Sequence, residues 1–402
     1  MKKLIVIAIA ALPVVAMADV TVYGTLAVGV EASHDFIVGT GATSSVGKVD
    51  SYRSNIGFKG TEDLGNGLKT LWQVESAISI DNSTTANVNG TVTAGNVNTF
   101  ATRDSFIGLS GDFGTVKMGR LSTFANTDSN LDAWWGNYVN GANGFSPNNP
   151  LSGFNAIART HIRMNNAIEY RTPSLSGFTA QVVYAMGETR TVNTNGNPAL
   201  LTGSYELGLK YENSGYYGMS TYITSQNTSR QGGSNWLWSL EGGYNANQLL
   251  MAGVFQQSLV RVGSDTALTV PVVPNNPSFG GLVGLSDINI LTLATNQGIG
   301  LGTNSTVTQN EAALILGYTL GQFQPHFQYA HGWSAKLNEQ VINNSGYNQY
   351  ILGVNYALSK RTQAQVSYGL IQHQYQYSDL SAAGPSGKAN TQTVSLGLIH
   401  RF

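Results

Sequence analysis

Apolar and polar residues alternate strictly along much of this 402-residue chain. In residues 205–211 the odd positions are apolar or aromatic and the even positions are polar or glycine, and the same period recurs in 178–184, 350–356, 364–370 and 394–398. A period of two places the apolar side chains on one face of a β-strand and the polar ones on the other. The pattern predicts an all-β protein, whose apolar faces turn either inward, in a soluble sandwich, or outward, toward lipid.

The placement of aromatic residues favours the lipid-facing arrangement. Four pairs of rings lie six residues apart on one face of a predicted strand: Phe178 and Tyr184, Tyr205 and Tyr211, Phe323 and Tyr329, Tyr350 and Tyr356. At about 3.3 Å per residue and a tilt of about 45°, this spacing puts rings near both edges of an apolar band, as in the aromatic girdles of membrane barrels. We therefore predict a transmembrane antiparallel β-barrel.

The connectors predict about sixteen strands. Short turns such as 64–67 and 111–114 alternate with longer polar segments such as 33–50 and 187–203. Single-chain outer-membrane barrels have an even number of strands, with short turns at one end and longer loops at the other. A ring of about sixteen strands encloses an aqueous lumen. The predicted strands begin near Val20, Tyr52, Leu68, Arg103, Thr115, Asn166, Phe178, Ser204, Tyr216, Trp236, Leu249, Gln309, Phe323, Tyr347, Gln363 and Thr391.

The composition excludes several other classes of protein. Charged residues make up 11% of the chain, against about a quarter in ordinary soluble proteins. Cysteine is absent, which excludes disulfides and cysteine-ligated metal centres. The 22 acidic and 21 basic residues nearly cancel, so no basic face for nucleic acid is expected. We expect no cofactor and no nucleic-acid partner.

The first eighteen residues have the pattern of a cleaved leader. Lys2 and Lys3 precede an apolar stretch, 4–15, and Ala16-Met17-Ala18 forms a small-x-small cleavage site. A transmembrane helix is the alternative, but the stretch is shorter than the roughly 20 residues that a helix needs to span a bilayer. We predict a signal peptide over 1–18 and one barrel domain over 19–402.

Two connectors are too long to be simple turns. Residues 122–165 have enough apolar surface to pack against another part of the chain, so we predict that this third long loop folds back into the lumen. Residues 259–308 are rich in Gly, Asn and Pro and are expected to form an exposed outer loop. The apolar residues of the third loop are Trp134, Trp135, Phe145 and Phe154.

Five segments carry motifs that occur in a fixed order over nearly all of the chain after residue 18. They are ADVTVYGT at 18–25, IGFKGTEDLGNGLK at 56–69, FGTVKMGR at 113–120, LSKRT at 358–362 and the terminal His400-Arg401-Phe402. Together they resemble the trimeric general porins of Gram-negative outer membranes, in their neisserial and betaproteobacterial branch. No such motif can be placed in 267–308 or in the middle of the third loop.

The resemblance implies an outer-membrane homotrimer of sixteen-stranded barrels, each with its own pore narrowed by the third loop. It implies passive diffusion of ions and small hydrophilic solutes, contact with outer-membrane lipid and lipopolysaccharide, and insertion by the barrel-assembly machinery. Terminal Phe402, with Val394, Leu396 and Leu398 on its face, resembles the assembly signal of the family. An ordinary last strand that ends in Phe is the alternative.

The resemblance also implies arginines on the pore wall. Arg120 and Arg163 match two wall arginines of the family, and Arg53 is expected to replace a third basic residue whose position falls on Asn55. Lys117 faces the lumen by alternation. Arg120 does not, so a β-bulge or the end of the strand is expected there.

Acids on the third loop are expected to face these bases. Asp128 and Asp132 are four residues apart and would share a face of a helix. Any of the predicted constriction charges could instead be a solvated loop charge or half of a structural ion pair. The excess of bases predicts a weak preference for anions. Five other charged residues face the lumen by alternation and are expected in the wider vestibule: Glu75, Glu206, Lys210, Glu241 and Glu311.

Two other functions compete with a general diffusion pore. A substrate-specific channel, or a surface adhesin that uses 259–308, is the main alternative. An outer-membrane hydrolase is disfavoured, because none of the six histidines lies in a nucleophile elbow or in His-x-x-x-His spacing.

Overall fold

One antiparallel sheet, closed on itself, contains every strand that the structure describes. The structure is a computed structural model, and it describes residues 19–37, 42–52, 54–81, 100–130, 163–187, 203–226, 234–262, 293–300, 302, 305–380 and 388–402. The strands are β1 Asp19–Ile37, β2 Ala42–Ser51, β3 Asn55–Gly65, β4 Leu68–Ala77, β5 Ser105–Gly111, β6 Gly114–Ser122, β7 Arg163–Arg171, β8 Phe178–Met186, β9 Gly203–Asn213, β10 Tyr216–Ser225, β11 Asn235–Ala246, β12 Leu249–Val262, β13 Ser305–Tyr318, β14 Phe323–Gly332, β15 Lys336–Leu337, β16 Gln340–Val341, β17 Tyr347–Ala357, β18 Thr362–Gln376 and β19 Lys388–Arg401.

These strands occupy sixteen positions around the ring, because three positions are interrupted. β1 pairs with both β2 and β3, and β13 pairs with both β14 and β15. β16, which pairs with β15, occupies the same position as β17, which pairs with β14. The ring closes where β1 pairs with β19, from Thr25 opposite Arg401 to His34 opposite Gln392. The prediction of a closed barrel of about sixteen strands is confirmed.

The two ends of the barrel differ in their connections. Tight turns join β3 to β4, β5 to β6, β7 to β8 and four later pairs, and we call this the turn end. Glycine or asparagine with positive φ supplies the reversal, as at Gly65 (φ 86°) and Asn66 (φ 53°). The opposite end, the loop end, carries the longer connections.

The predicted long connector over 33–50 is wrong. β1 runs to Ile37 and β2 begins at Ala42, so strands occupy most of this segment. Here His34 and Ser45 lie opposite each other, and His34 Nδ1 is 2.9 Å from Ser45 Oγ. Runs of consecutive polar residues, 33–35 on β1 and 43–45 on β2, interrupt the alternation that identifies other strands.

Inside and outside of the wall have opposite chemistry. On β9, Leu207 and Leu209 face outward and are 55% and 49% exposed, whereas Glu206 is 1% exposed and faces inward. The same division holds on β19, where Leu396 and Leu398 are exposed and Ser395 is buried. This is the arrangement of a barrel in lipid and the reverse of a soluble sandwich.

The predicted aromatic girdles form two rows on the outer surface. Ring centroids are 4.6 Å apart for Phe178 and Tyr211 near the turn end, and 4.8 Å apart for Tyr184 and Tyr205 nearer the loop end. The pairs Phe323 with Tyr356 and Tyr329 with Tyr350 repeat this arrangement at 4.8 and 5.2 Å. Six-residue spacing along each strand therefore places rings at both edges of the apolar band, as predicted.

Helices are few and short among the described residues. They are α1 Phe124–Asp128, α2 Tyr377–Leu380 and a turn at 293–296. None of the helices in the described ranges is both long and apolar enough to cross a membrane. The predicted leader over 1–18, the segment 263–292 and the constriction candidates Arg53 and Asp132 lie outside the described residues.

Candidate pore constriction

The third long loop begins inside the ring. Thr123 caps α1, its side chain accepting a hydrogen bond from the Asn126 amide. The Phe124 amide donates to Glu206 Oε1 over 2.7 Å. Further along, the Asn130 amide donates to Glu241 Oε1 over 2.9 Å. Because both carboxylates face inward from the wall, residues 123–130 lie within the lumen, which confirms the predicted fold-back for this part of the loop.

Two features of the wall hold α1 in place. Gly208 on β9 leaves room for Phe124, since a Cβ there would overlap the Phe124 ring. Arg171 on β7 lies over the Phe124 ring, with its guanidinium carbon 5.1 Å from the ring centroid. Arg171 also binds Asp128 through both terminal nitrogens, at 2.7 and 2.8 Å. The loop therefore enters the lumen along β7 to β11.

The partner of Asp128 differs from the expected one. Asp128 was predicted to face Arg120 and Arg163, but the structure pairs it with Arg171 in a bidentate contact. Nothing in the local sequence indicates this pair, because the two residues are 43 positions apart and meet only when the loop folds inward. Asp128 therefore anchors the loop to the wall.

Arg120 and Arg163 lie at the loop end of β6 and β7. Arg163 Nε is 2.5 Å from Asp104 Oδ1. Arg120 Nε donates to the Thr102 carbonyl over 2.9 Å, and Arg120 Nη1 binds the side-chain oxygen of Asn165. The β6 and β7 pairing shifts register between Gly119 and Leu121. The predicted bulge at Arg120 is confirmed.

Arg103, a residue that the sequence argument did not select, joins this group. Its amide donates to the Glu75 carbonyl over 3.0 Å, and its guanidinium forms an ion pair with the Glu75 carboxylate. Glu75 also accepts a 2.8 Å hydrogen bond from the Tyr23 hydroxyl. We call Arg103, Arg120 and Arg163 the arginine cluster. Its carboxylate partners are Asp104 and Glu75.

Lys117 is held apart from the arginine cluster. Its Nζ lies 2.8 Å from Glu169 Oε1 and 5.1 Å from the centroid of the Phe106 ring. Glu169 is 2% exposed. As predicted, Lys117 faces the lumen, but its charge is matched directly across the pair of strands.

Comparison with known proteins decides the family. Residues 6–397 match the Gram-negative porin family. The chain is similar to the major outer membrane protein P.IB of Neisseria meningitidis serogroup B, strain H44/76, with 31% identity over 413 residues that cover 100% of this chain and 99% of that protein. This chain is a Gram-negative porin. It is thus a channel protein of the outer membrane and not an enzyme.

Solved structures show the same fold as this porin. The anion-selective porin from Comamonas acidovorans superposes with a TM-score of 0.64 and 21% identity, over 96% of this chain and 100% of that chain. A trimer form of OmpT from Vibrio cholerae superposes with a TM-score of 0.56 and 11% identity, over 96% and 99%. At these identities the similarity concerns the fold.

Two acids of the porin that were expected in the vestibule bind the third loop instead. Glu241 accepts from the Ser129 hydroxyl at 2.5 Å and the Tyr217 hydroxyl at 2.6 Å, in addition to the Asn130 amide. Glu206 accepts from the Phe124 amide. A charged acceptor strengthens each of these hydrogen bonds. The alternation of residues predicted only that Glu206 and Glu241 face the lumen. It could not show that a loop folds back to bind them.

Two other charged residues that were expected in the vestibule, Glu311 and Lys210, have partners within the wall. Glu311 accepts hydrogen bonds from the Tyr347 hydroxyl at 2.6 Å and from Gln256 Nε2 at 2.9 Å. Lys210 Nζ is 2.7 Å from Glu212 Oε2 near the turn end. Within the described residues, no group of three or more His, Asp or Glu side chains is arranged to hold a metal ion.

The last residue of the porin completes the ring. The Phe402 amide donates to the Gly24 carbonyl at 3.1 Å, and the Gly24 amide donates to the Phe402 carbonyl at 3.2 Å. A Cβ on Gly24 would lie 2.6 Å from Phe402 Cζ. The terminal ring therefore lies over Gly24, where no side chain obstructs it.

Proposed function

We propose that this porin is a passive diffusion channel for ions and small hydrophilic solutes with a weak preference for anions. The observation that supports this proposal is the arginine cluster at the loop end of β5 to β7. Three guanidinium groups lie there with two carboxylates, Asp104 and Glu75. At about 0.1 M salt the Debye length is about 10 Å, so these charges act on a passing ion while distant surface charges are screened.

The preference is weak because the other charges near the third loop add no net positive charge. Glu206 and Glu241 bind the loop through hydrogen bonds from its amides and add negative charge to the wall. Lys117 is matched by Glu169 and Arg171 by Asp128. Only the arginine cluster keeps an excess of positive charge among these contacts. A modest local excess in a wide, hydrated pore biases the ion flux without excluding cations.

The reversal potential across a salt gradient tests the arginine cluster. In Arg120→Ser/Arg163→Ser we expect the ratio of anion to cation permeability to fall below one, because the two substitutions remove two positive charges beside Asp104. The matched control is Lys360→Ser/Arg361→Ser, which makes the same charge change in the turn between β17 and β18. An unchanged reversal potential in the first variant would show that the cluster does not act on permeating ions.

We infer a homotrimer from the distribution of outward-facing tyrosines. Tyrosines face outward on β7 to β11, β13, β14, β17 and β18, but on none of the described side chains of β19 and β1 to β6. Tyrosine marks the boundary between lipid and water. The sector without tyrosine exposes aliphatic residues, including Val20 at 58%, Val22 at 52% and Leu396 at 60%, and its Trp72 lies in register with exposed Ile107. A neighbouring subunit that covers this sector explains the missing tyrosines.

Cysteine labelling distinguishes protein-covered from lipid-covered positions, since the native chain has no cysteine. A membrane-soluble maleimide should react with Leu207→Cys, which lies in the tyrosine-bearing sector, and slowly with Leu396→Cys. Cross-linking in mild detergent should yield trimers. Equal labelling of both variants, together with monomers only after cross-linking, would refute the homotrimer.

We also infer how the chain reaches its membrane. Cleavage after Ala18 would leave Asp19, the first residue of β1, as the mature terminus. The pairing of Phe402 with Gly24 supports a role for Phe402 in recognition by the barrel-assembly machinery. Exposed Leu207 and Leu209 support contact with outer-membrane lipid, and lipopolysaccharide would supply the outer leaflet. N-terminal sequencing of the membrane-inserted protein tests the cleavage site.

A further inference from the structure

A cavity of about 340 Å³ lies at the turn end of the lumen. It is bordered by the turn between β11 and β12 and by the turn between β13 and β14. Its polar lining comes from four amide side chains and a hydroxyl, and Leu250 lies among the apolar residues of the lining. This volume is at the lower end of the range typical for sites that hold a small molecule. The polar residues are Asn130, Asn245, Gln248, Thr319 and Gln324.

Hydrogen bonds hold the walls of the cavity in place. The Thr319 amide donates to the Gln248 carbonyl at 2.8 Å, which joins the two turns. Asn245 Nδ2 donates to Asn130 Oδ1 at 3.0 Å, and the Asn130 amide is held by Glu241. The start of the third loop therefore forms one side of the cavity. Such a site needs little reorganisation when a solute enters.

The chemistry of the lining favours an uncharged solute with several hydroxyl groups. An amide side chain both donates and accepts hydrogen bonds, as a hydroxyl does. None of the described residues that line the cavity is charged. Leu250 belongs to a buried apolar cluster on the inner wall with Ala252, Val254 and Ile315, and it offers an apolar surface to the C–H face of a sugar ring.

We propose that this cavity, the amide site, is a weak binding site for neutral solutes the size of a monosaccharide. It lies at the turn end, which is the periplasmic end of an outer-membrane barrel. The amide site lies on β11 to β14, whereas the arginine cluster lies beside β5 to β7. A neutral solute and an anion thus meet different walls of one lumen. A bound sugar contacts Asn130 and narrows the exit beside the anchored loop.

The test rests on the proposed diffusion function and uses glucose as the probe. Single-channel ion current through the full-length protein is recorded in potassium chloride with increasing glucose on the turn-end side. Wild type should show a saturable loss of current beyond the decrease caused by viscosity. Gln324→Ala and Thr319→Val should raise the half-saturating glucose concentration about threefold to tenfold, as expected for loss of one hydrogen bond each.

The control is Asn213→Ala, which removes an exposed amide at the neighbouring turn between β9 and β10. It should behave as wild type. Heat-modifiable mobility in gels confirms that each variant has folded. A current loss that follows viscosity alone, equal in all variants, overturns the amide site while the diffusion function stands.

The absence of any current without glucose would overturn the proposed diffusion function instead. Saturation-transfer NMR with glucose on the detergent-solubilised protein then decides the amide site. A transfer signal in wild type that weakens in Gln324→Ala supports the site, and the absence of a signal in wild type overturns it.

Discussion

Lys117 illustrates how a partner determines what a charged residue contributes to a pore. Its inward direction followed from alternation, but its ion pair with Glu169 did not, because the two residues are 52 positions apart. A cation held 2.8 Å from a carboxylate oxygen adds little net charge to the lumen. The effect of Lys117 on ion selectivity therefore depends on Glu169 as well.

Replacing Glu169 by Gln should increase the anion preference. The substitution keeps the shape of the side chain and leaves the charge of Lys117 uncompensated, so the ratio of anion to cation permeability should rise. Reversal potentials across a salt gradient measure this ratio. Glu62→Gln makes the same charge change at an exposed position of β3 and should leave the ratio near that of wild type. A ratio that is unchanged in Glu169→Gln would mean that Lys117 does not contact the ion path.

The arginine cluster contains both residues that the sequence predicted for the site and one residue that it did not. Arg120 and Arg163 were predicted from the resemblance to family motifs. The bulge at Arg120 was predicted because the motif places this residue on the pore wall, whereas the alternation of residues would face it outward. Arg103 was predicted only as the start of a strand and Asp104 was not selected, whereas both residues precede β5 and bind charged groups on other strands. Contacts between such residues arise from the path of the chain around the ring, which no local pattern encodes.

Among the elements, α1 depends on a single missing side chain in the wall. The sequence predicted that the third loop would turn inward, since its apolar residues needed a surface. It did not predict which strands the loop would contact. That choice follows from Gly208, where the absence of a Cβ opens the space that Phe124 fills.

Gly208→Ala should displace the start of the third loop. The added methyl group overlaps the Phe124 ring, and overpacking of this kind costs about 1–3 kcal/mol. We expect noisier single-channel currents and an altered mean conductance. Gly253→Ala is the control, because a Cβ at Gly253 has no neighbouring atom within 4 Å. Identical current traces for both variants would show that Phe124 does not fix the loop.

At the scale of the whole molecule, the barrel was the most predictable feature. The alternation of polar and apolar residues, the six-residue spacing of aromatic rings and the succession of short turns and long loops each depend on the boundary between lipid and water. That boundary imposes one pattern on every strand. The prediction failed where the boundary no longer acts, as at 33–50, where β1 and β2 extend beyond the apolar band.

Deletion of Phe402 should reduce the amount of assembled porin. The deletion removes the two hydrogen bonds with Gly24 and exposes the outer face of that glycine. Heat-modifiable porin in outer-membrane fractions should fall strongly, and Phe402→Tyr should retain it. Normal amounts of the deletion variant in the membrane would contradict this role.

The pairing of β1 with β19 also fixes when this protein can finish folding. The two strands that meet are the first and the last of the described strands, so the pairing with the largest sequence separation is also the one that closes the ring. Contacts of this kind form slowly, because a long stretch of chain must be ordered first. Until Arg401 and Phe402 have been synthesised, β1 keeps an unpaired edge along Thr25 to His34. Until then that edge must be shielded from aggregation, and the chain becomes a closed barrel only once β19 has been synthesised.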